Sequence, residues 1–529
     1  MGIVYLVIFL LIFALLLRIS YYSLGGNIEI ITDVVGKRSS KILLYNSKGV
    51  IYDRNLIALS GNQSTKYLLI NPRGFNRENI RYICDIANIS PDDFETKLNK
   101  ETPFVLKTNV QPKNINGVFV FDGTKRYPDE MTNQHIIGYL DKANQIGVSG
   151  IEKAYNDELS LYANSVYVNY SSDAAKGILG GLGFNTNNTL NDSKNGIVLT
   201  LDSNLSKKAE NIMSKYIDSG ALVIMDVDSG EVLTMTSYPK YDVNNIQSYI
   251  NSENGELINN AVSNQVVGSV FKIIVATCAV VNNIENFEFE CSGSIAVDGR
   301  NFSCQNGKKH GKQNLTDAFA NSCNCYFISI GQLLGYEKII EIAQLFGVDS
   351  KIKLCKEMYS ASGVLPKEKD NLEIANLSIG QGKLLISPLQ VCRITAAISN
   401  GGYLVNPTIY LGSYFNENIS NKPSYKYKTQ IVAENQADKI KEMCLACVEK
   451  GTGKNAKPDL FMAGGKTASA QTGIYNSEND EILNTYFTGF YPYENPEYAI
   501  TVFAKNGKSG SETCAPVFKE ICDYISQNY

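Results

Sequence analysis

Ile3 to Leu17 is fifteen apolar residues without a break, and Met1 and Gly2 extend the uncharged stretch to seventeen. No other feature constrains the chain as much, because crossing a hydrocarbon core takes about 17–25 such residues. Arg18 can snorkel toward headgroups, and Tyr21 and Tyr22 suit the interface. A cleaved signal peptide could begin this way too, with Ser23 and Gly25 as a small-x-small cleavage site. However, no Lys or Arg precedes the run, and it is long for a signal core. Residues 1–22 are therefore expected to be an uncleaved transmembrane anchor. Arg18, Lys37 and Arg38 all follow it, so the positive-inside rule alone places the rest of the chain in the cytoplasm.

With 529 residues, more than one domain is expected. Hydrophobic residues at 44% and charged residues at 19% are ordinary for globular domains. The net charge of -4, without a Lys/Arg block, gives no basic face for nucleic acid. There are two histidines, His135 and His310. A Ser-His-Asp or Cys-His site would need one of them, and a His-rich metal site cannot be built from two. His310 reads as a loop histidine and His135 as a structural one. The twelve cysteines show no repeated close pairs of the zinc kind, so no metal and no cofactor is expected. Cys444 and Cys447 read as two packed thiols in a helix (437–450). Cys291 and Cys304 flank an expected hairpin loop and are the first pair to test for a disulfide; their redox state stays open.

Residues 23–170 are rich in β-branched and aromatic residues and short turns. Lys41–Tyr45, Val50–Asp53, Lys66–Leu69 and Val118–Phe121 read as strands, and Arg77–Ala87 as a helix. Residues 171–195 turn to Ser, Gly and Asn, the composition of a linker. From Gly196 the pattern changes again. Ile197–Leu201 reads as a strand, Asn204–Ile217 as an amphipathic helix, and Ala221–Asp226 and Glu231–Ser237 as a hairpin around Asp228-Ser229-Gly230. Helices dominate from Ser269 to about Asn400. Strands return at Phe461–Ala463, Tyr486–Tyr491 and Tyr498–Phe503, before a closing helix over Ala515–Gln527. Strands at both ends with helices between predict an α/β domain over 196–529 whose sheet is completed by remote segments.

A chain with almost no histidine can activate a serine with a lysine kept neutral by burial or by a second positive charge. Ser269 and Lys272 are three residues apart, so on a helix they share a face. Ser269 would open that helix, where free N–H groups favour negative charge on an attacking oxygen. A lone S-x-x-K also fits a capping serine with a solvated lysine. Two further elements sharpen it: Ser322-Cys323-Asn324 about fifty residues on, and Gly464-Gly465-Lys466-Thr467-Ala468-Ser469 after an expected apolar strand. The latter is not a phosphate loop, since Leu460 stands where the first glycine is required. S-x-x-K, S-x-N and K-T-x in this order form the set found in penicillin-binding proteins and serine β-lactamases.

With these motifs the chain resembles the class B penicillin-binding proteins over nearly its whole length. GVIYDRNLIAL (Gly49–Leu59), Lys125-Arg126-Tyr127-Pro128 with QHIIGY (Gln134–Tyr139), and GVSGIEKAYNDEL (Gly147–Leu159) are similar to the family's membrane-proximal motifs. VLTLD (Val198–Asp202), Ala221–Asp242 and LSIGQGKLLISPLQ (Leu377–Gln390) are similar to its catalytic domain. β-Lactamases lack the pedestal and anchor, and no glycosyltransferase domain fits before residue 196. The resemblance implies an anchor (1–22), a mainly-β α+β pedestal or dimerisation-like domain (23–170), a linker (171–195) and a β-lactamase-like serine transpeptidase domain (196–529) with a central antiparallel sheet flanked by helices. It also implies a catalytic domain outside the cell, against the charge rule above.

For function, it implies a peptidoglycan D,D-transpeptidase. Ser269 would attack the penultimate D-alanine of a stem peptide, and Lys272 would be the base. Ser322 would relay a proton, Asn324 would hold Lys272 and substrate, and Lys466 would support the relay. Thr467 and Ser469 would bind the terminal carboxylate, with the N–H groups of Ser269 and Ser469 as oxyanion hole. The implied partners are stem peptides, β-lactams, the membrane and a membrane glycan polymerase of the shape, elongation, division and sporulation family. Two positions depart from the family: Ala468 replaces its glycine in the substrate-binding strand and Val267 its proline. A methyl at 468 is expected to narrow the cleft, so Ala468→Gly is expected to speed acylation. The rival readings are a silent wall-assembly scaffold, disfavoured by the complete side-chain set, and a β-lactam sensor, which would need a cytoplasmic signalling segment.

Overall fold

The computed structural model describes residues 2–24, 39–61, 63–141, 144–172, 178, 184–188, 194–422, 428–475 and 479–529. Most of the linker expected over 171–195 lies outside the described residues. Gly2–Leu24 forms one helix, α1. Its segment 2–21 is long and apolar enough to cross a membrane.

The chain forms two compact units. The first comprises Met1–Lys48, Gly61–Arg126 and Ala163–Ser193. It holds two antiparallel three-stranded sheets, Ser39–Ser47/Asn164–Ser171/Phe184–Asn188 and Phe104–Thr108/Gln63–Ile70/Val118–Lys125. Along Gln63–Ile70, Leu68 and Ile70 pack on Ile83, Phe94 and Leu98 of two short helices, while Tyr67 and Leu69 join Val166 and Val168. The period-two alternation thus feeds two small cores from one strand. The second helix starts where sequence demands, with Ser90 Oγ accepting from Asp93 N–H (3.1 Å) and Pro91 in its first turn.

The second unit comprises Gly49–Ser60, Tyr127–Tyr162 and Lys194–Tyr529. Two stretches of the 23–170 segment therefore cluster with the C-terminal residues. Val50–Tyr52 explains one of them: it runs parallel to Gly196–Leu199 as an outer strand of a four-stranded sheet.

The unit is built on a five-stranded sheet: β1 Gly220–Asp226, β2 Val232–Tyr238, β3 Gly464–Tyr475, β4 Glu481–Tyr491 and β5 Tyr498–Lys505. The order is β2-β1-β5-β4-β3, antiparallel throughout, so remote segments do complete it. Both faces are covered, and β1 shows why it reads as a continuous apolar run. Ala221, Val223 and Met225 enter one core, and Leu222 and Ile224 the other.

Five helices matter here: α2 Lys272–Val281, α3 Asn324–Leu334, α4 Pro388–Ser399, α5 Glu434–Glu449 and α6 Ala515–Asn528. α4 crosses β5 and β4 and begins with a full capping box between Ser387 and Gln390. The residues of α6 line the opposite core.

Two local expectations are corrected. Phe461–Ala463 is not a strand; β3 begins at Gly464 and contains the Lys466 motif. Its two glycines explain the start, because a Cβ on Gly464 or Gly465 would stand 2.3 or 2.5 Å from the rings of Phe490 and Phe487. Ser269 does not open an α-helix either. It lies in a 3₁₀ turn, Gly268–Phe271, and α2 begins at Lys272.

Candidate active site

The serine turn is held from both sides. Gly268 has φ +60, its N–H donates to Gly380 O (2.9 Å), and a Cβ on it would meet Ala470 at 2.9 Å. Only glycine fits such a left-handed, crowded position without strain. Val267 before it has φ -104, outside the range of a proline ring. Ser269 is half-buried on this turn, and Lys272 follows three residues later with its side chain fully buried.

Lys272 Nζ donates to Asn324 Oδ1 (2.7 Å) and Ser322 O (2.9 Å) and lies 3.3 Å from Ser322 Oγ. Lys466, also fully buried, donates to Ser322 Oγ and Thr467 O, both at 3.0 Å. One hydroxyl therefore bridges two buried amines. Among the described residues, no carboxylate pairs with either lysine. Burial first, and Lys466 second, hold the Lys272 ammonium well below the usual lysine range; burial also pushes Lys466 down. Aromatic faces line the pocket, with Phe327 at 5.3 Å from Lys272 Nζ and Phe319 at 5.6 Å from Lys466 Nζ.

Ser322 reaches this position through a left-handed backbone, φ +56, at the junction of two helices. Its N–H donates to Phe319 O (3.1 Å), Cys323 N–H donates to Ala318 O (2.8 Å), and α3 starts at Asn324. Asn324 Nδ2 donates to Ser303 O (2.9 Å), leaving Oδ1 for Lys272.

β3 is an edge strand, and its open side can be read from Gln471. The Gln381 amide accepts from Gln471 N–H (3.0 Å) and donates to Gln471 O (3.3 Å), so the Gln471 backbone faces outward. By antiparallel alternation the N–H groups of Ser469 and Thr467 face the same open edge. Lys466, Ala468 and Ala470 share one face of β3. Lys466 reaches Ser322 and Ala470 abuts Gly268, so the Ala468 methyl points at the serine turn; Ala468 is 3% exposed.

The structure thus joins Lys272, Ser322, Asn324 and Lys466 in one hydrogen-bond network, three residues from Ser269. Thr467 and Ser469 lie next along β3 with their hydroxyls engaged elsewhere: Thr467 Oγ1 is 2.6 Å from Thr452 Oγ1, and Ser469 Oγ accepts from Gly510 N–H (3.1 Å). Thr452, Gly510 and Gln381 were not singled out from sequence. Glycines around them were the available signal, since a Cβ on Gly451 would lie 2.2 Å from Ala320 O and one on Gly510 2.5 Å from Ala468 O. His135 is structural: its Nε2 is 2.6 Å from Glu256 O and its ring meets Tyr241 edge-on at 4.9 Å.

The cysteine pairing that the sequence left open can be read from the structure, and Cys444 and Cys447 are packed thiols as expected. All twelve are free and buried, and Cys291 and Cys304 are adjacent but unbonded, with sulfurs 3.8 Å apart. His310 is no ordinary loop histidine, because its Nδ1 lies 3.6 Å from Cys291 Sγ.

Residues 220–523 match the sequence model of the penicillin binding protein transpeptidase domain, and residues 45–176 that of the penicillin-binding protein dimerisation domain. Stage V sporulation protein D of Bacillus subtilis is 27% identical over 514 residues, 90% of this chain and 77% of the relative. Peptidoglycan D,D-transpeptidase MrdA of Acinetobacter baumannii is 25% identical, over 90% of this chain and 80% of the relative. Among solved structures, the penicillin-binding protein PBP2 of Helicobacter pylori shares the fold with a TM-score of 0.70 at 23% identity, covering 92% of this chain and 99% of that one. The same organism's PBP2 in complex with MreC gives 0.65 at 23%, with coverage of 92% and 99%.

Proposed function

The chain belongs to the penicillin-binding protein transpeptidase family, and from that premise we propose that Ser269 is the nucleophile through which it cross-links peptidoglycan. At the coarser level it is a D,D-transpeptidase of cell-wall synthesis, an acyltransferase. The observation that carries the finer assignment is the Ser322 hydroxyl held between two buried amines, one of them a turn away from Ser269.

Lys272, its ammonium disfavoured by burial and by Lys466, takes the Ser269 proton as Oγ attacks the carbonyl carbon of the penultimate D-alanine. The bond to the terminal D-alanine nitrogen breaks, and Ser322 hands the proton to that leaving amine. An amine from a neighbouring stem peptide then attacks the ester, and Ser269 recovers its proton. Asn324 fixes Lys272 through Oδ1, and Lys466 orients the Ser322 hydroxyl. The N–H groups of Ser269 and Ser469 form the oxyanion hole, each donor contributing about 3–4 kcal/mol in the transition state. Thr467 and Ser469 bind the substrate carboxylate, exchanging their bonds to Thr452 and Gly510 for bonds to it. β-Lactams mimic the acyl donor and stop at the ester.

Further parts of this reading are a single-pass anchor at α1 with the second unit outside the cell, and a sequence division at 22/23, 170/171 and 195/196. The assembly partners are a membrane glycan polymerase and a protein like the MreC found in complex with H. pylori PBP2. The test is labelling of the full chain with a fluorescent penicillin. Native protein becomes labelled and Ser269→Ala does not; labelling that survives the substitution removes Ser269 as nucleophile.

A further inference from the structure

Beside the Ser322-Cys323-Asn324 turn, four ligand atoms converge. The Sγ atoms of Cys291, Cys304 and Cys323 and a ring nitrogen of His310 all lie within 4.8 Å of one another. The three thiols are at most 2% exposed, and His310 is half-buried. Each comes from a different local element. Cys291 ends strand Phe289–Cys291 and is paired with Gly311, next to His310. Cys304 follows the hairpin Ser294–Val297/Arg300–Ser303, and Cys323 is the residue before α3. None of the thiols is in a disulfide.

Three of the six spacings match the edges of a coordination tetrahedron, and the rest are within 4.8 Å. Bond lengths of about 2.3 Å to sulfur and about 2.05 Å to nitrogen give tetrahedral edges of about 3.8 Å between sulfurs and about 3.6 Å from sulfur to nitrogen. Cys291–Cys304 and Cys304–Cys323 both measure 3.8 Å, and Cys291 Sγ–His310 Nδ1 measures 3.6 Å. A disulfide would need about 2.05 Å between sulfurs. Thiols make poor hydrogen bonds, so their mutual contacts alone do not account for three buried thiols gathered beside an imidazole.

We propose that Cys291, Cys304, His310 and Cys323 bind a tetrahedral zinc ion that holds the Ser322–Asn324 turn in its working conformation. Thiolate-rich donors favour zinc over harder divalent ions, and four protein ligands close the site, which makes it structural. Binding displaces the three thiol protons to solvent and changes no oxidation state. The ion links the hairpin to the turn: Cys304 adjoins Ser303, whose carbonyl accepts from Asn324 Nδ2 (2.9 Å), and Cys323 lies between Ser322 and Asn324. Cys325, 3.5 Å from Cys304, stands outside the four-atom set as a neighbouring thiol. Metal binding is independent of the transpeptidase reading, whereas its effect on acylation rests on it.

The test uses the full chain purified under reducing, chelator-free conditions. Elemental analysis should find one zinc per chain, and cobalt(II) substitution should give thiolate-to-cobalt charge-transfer absorption. Cys291→Ser and Cys323→Ser should lose at least half the metal, while Cys444→Ser keeps it. Because the cysteine variants could fail to fold, native protein is also stripped with a chelator, checked by circular dichroism, and reloaded. Stripping should slow fluorescent-penicillin labelling at least tenfold, and zinc should restore it. No bound metal, a disulfide among these cysteines in the reduced preparation, or cobalt spectra without thiolate bands overturns the site. Metal present but labelling unchanged on stripping overturns the positioning role. Metal present with no labelling under any condition leaves the site standing and fails the Ser269 reading instead.

Discussion

The two flanks of the Ser322-Cys323-Asn324 turn face opposite chemistry. On one flank two amines are buried with a hydroxyl, an amide oxygen and carbonyls, and no carboxylate joins them among the described residues. On the other, four thiols and an imidazole converge. The first flank removes water and counter-charge from the lysines, which lowers both below the usual lysine range, Lys272 furthest. The second assembles donors that become useful when a positive ion arrives. The difference separates chemistry from support. A left-handed serine such as Ser322, φ +56, costs on the order of 1–3 kcal/mol and persists only where its surroundings fix it. Here the amines use the turn, and the thiols pin it.

The sharpest way to break that division is to remove the base. Lys272→Met keeps the volume and the apolar contacts with Phe327 while deleting the amine. The acylation rate by a fluorescent penicillin should fall about 10²–10⁴-fold, the usual contribution of a positioned base. A loss below tenfold would move the base elsewhere. The pH profile carries the same information. Because the Lys272 ammonium is held well below the ordinary value of 10.5, the neutral amine is available at lower pH than a solvated lysine allows. The native rate should therefore rise with pH through that depressed pKa and then level off. Lys272→Met should lack this limb.

The lysine flank was legible because its chemistry is local or motif-coded. A spacing of three residues puts Ser269 and Lys272 on one face of a turn, and this holds whether the turn is 3₁₀ or α. The hairpin before Cys304 was legible for the same reason. The thiol flank was not. Cys291, Cys304, His310 and Cys323 are separated by 13, 6 and 13 residues, without the repeated close pair that marks zinc sites, so only the folded sheet and helix ends unite them. Scarcity of histidine also misled: it argued against a His-rich site, while a thiolate site needs one imidazole at most. The start of β3 was missed because Phe461 and Leu460 look like strand residues but are exposed, whereas Gly464 and Gly465 carry the ladder beneath two aromatic rings.

The two histidines extend the contrast. His310 stands among ligands, while His135 is enclosed and donates to Glu256 O. Burial pushes His135 down to about 4, from an ordinary 6.5. The folded protein therefore refuses a proton that the unfolded chain accepts below 6.5. Stability conferred by neutral His135 is present above that value and is lost as pH falls toward about 4, by up to about 3 kcal/mol. His135→Gln, which keeps a donor, should flatten this slope in denaturant unfolding measured across that range. An unchanged slope would assign the acid sensitivity to other groups.

The smallest expected effect concerns Ala468, and it tests how tightly the serine turn is packed against the lysine strand. From sequence alone, the methyl should narrow the cleft and glycine should speed acylation. Its position changes that expectation. Ala468 is 3% exposed, shares the β3 face of Lys466 and Ala470, and belongs to the core around Tyr486. By strand alternation the methyl lies on the β3 face that carries Ala470 against Gly268, not on the open edge where Ser469 N–H points. Ala468→Gly should then change the acylation rate by less than about threefold and lower stability by about 0.5–1 kcal/mol, the usual cost of glycine for alanine in a strand. A rate increase of tenfold or more, with stability intact, would show that the methyl intrudes on the substrate path after all. A rate loss of that size would show that the turn needs this methyl to hold Ser269 over Lys272.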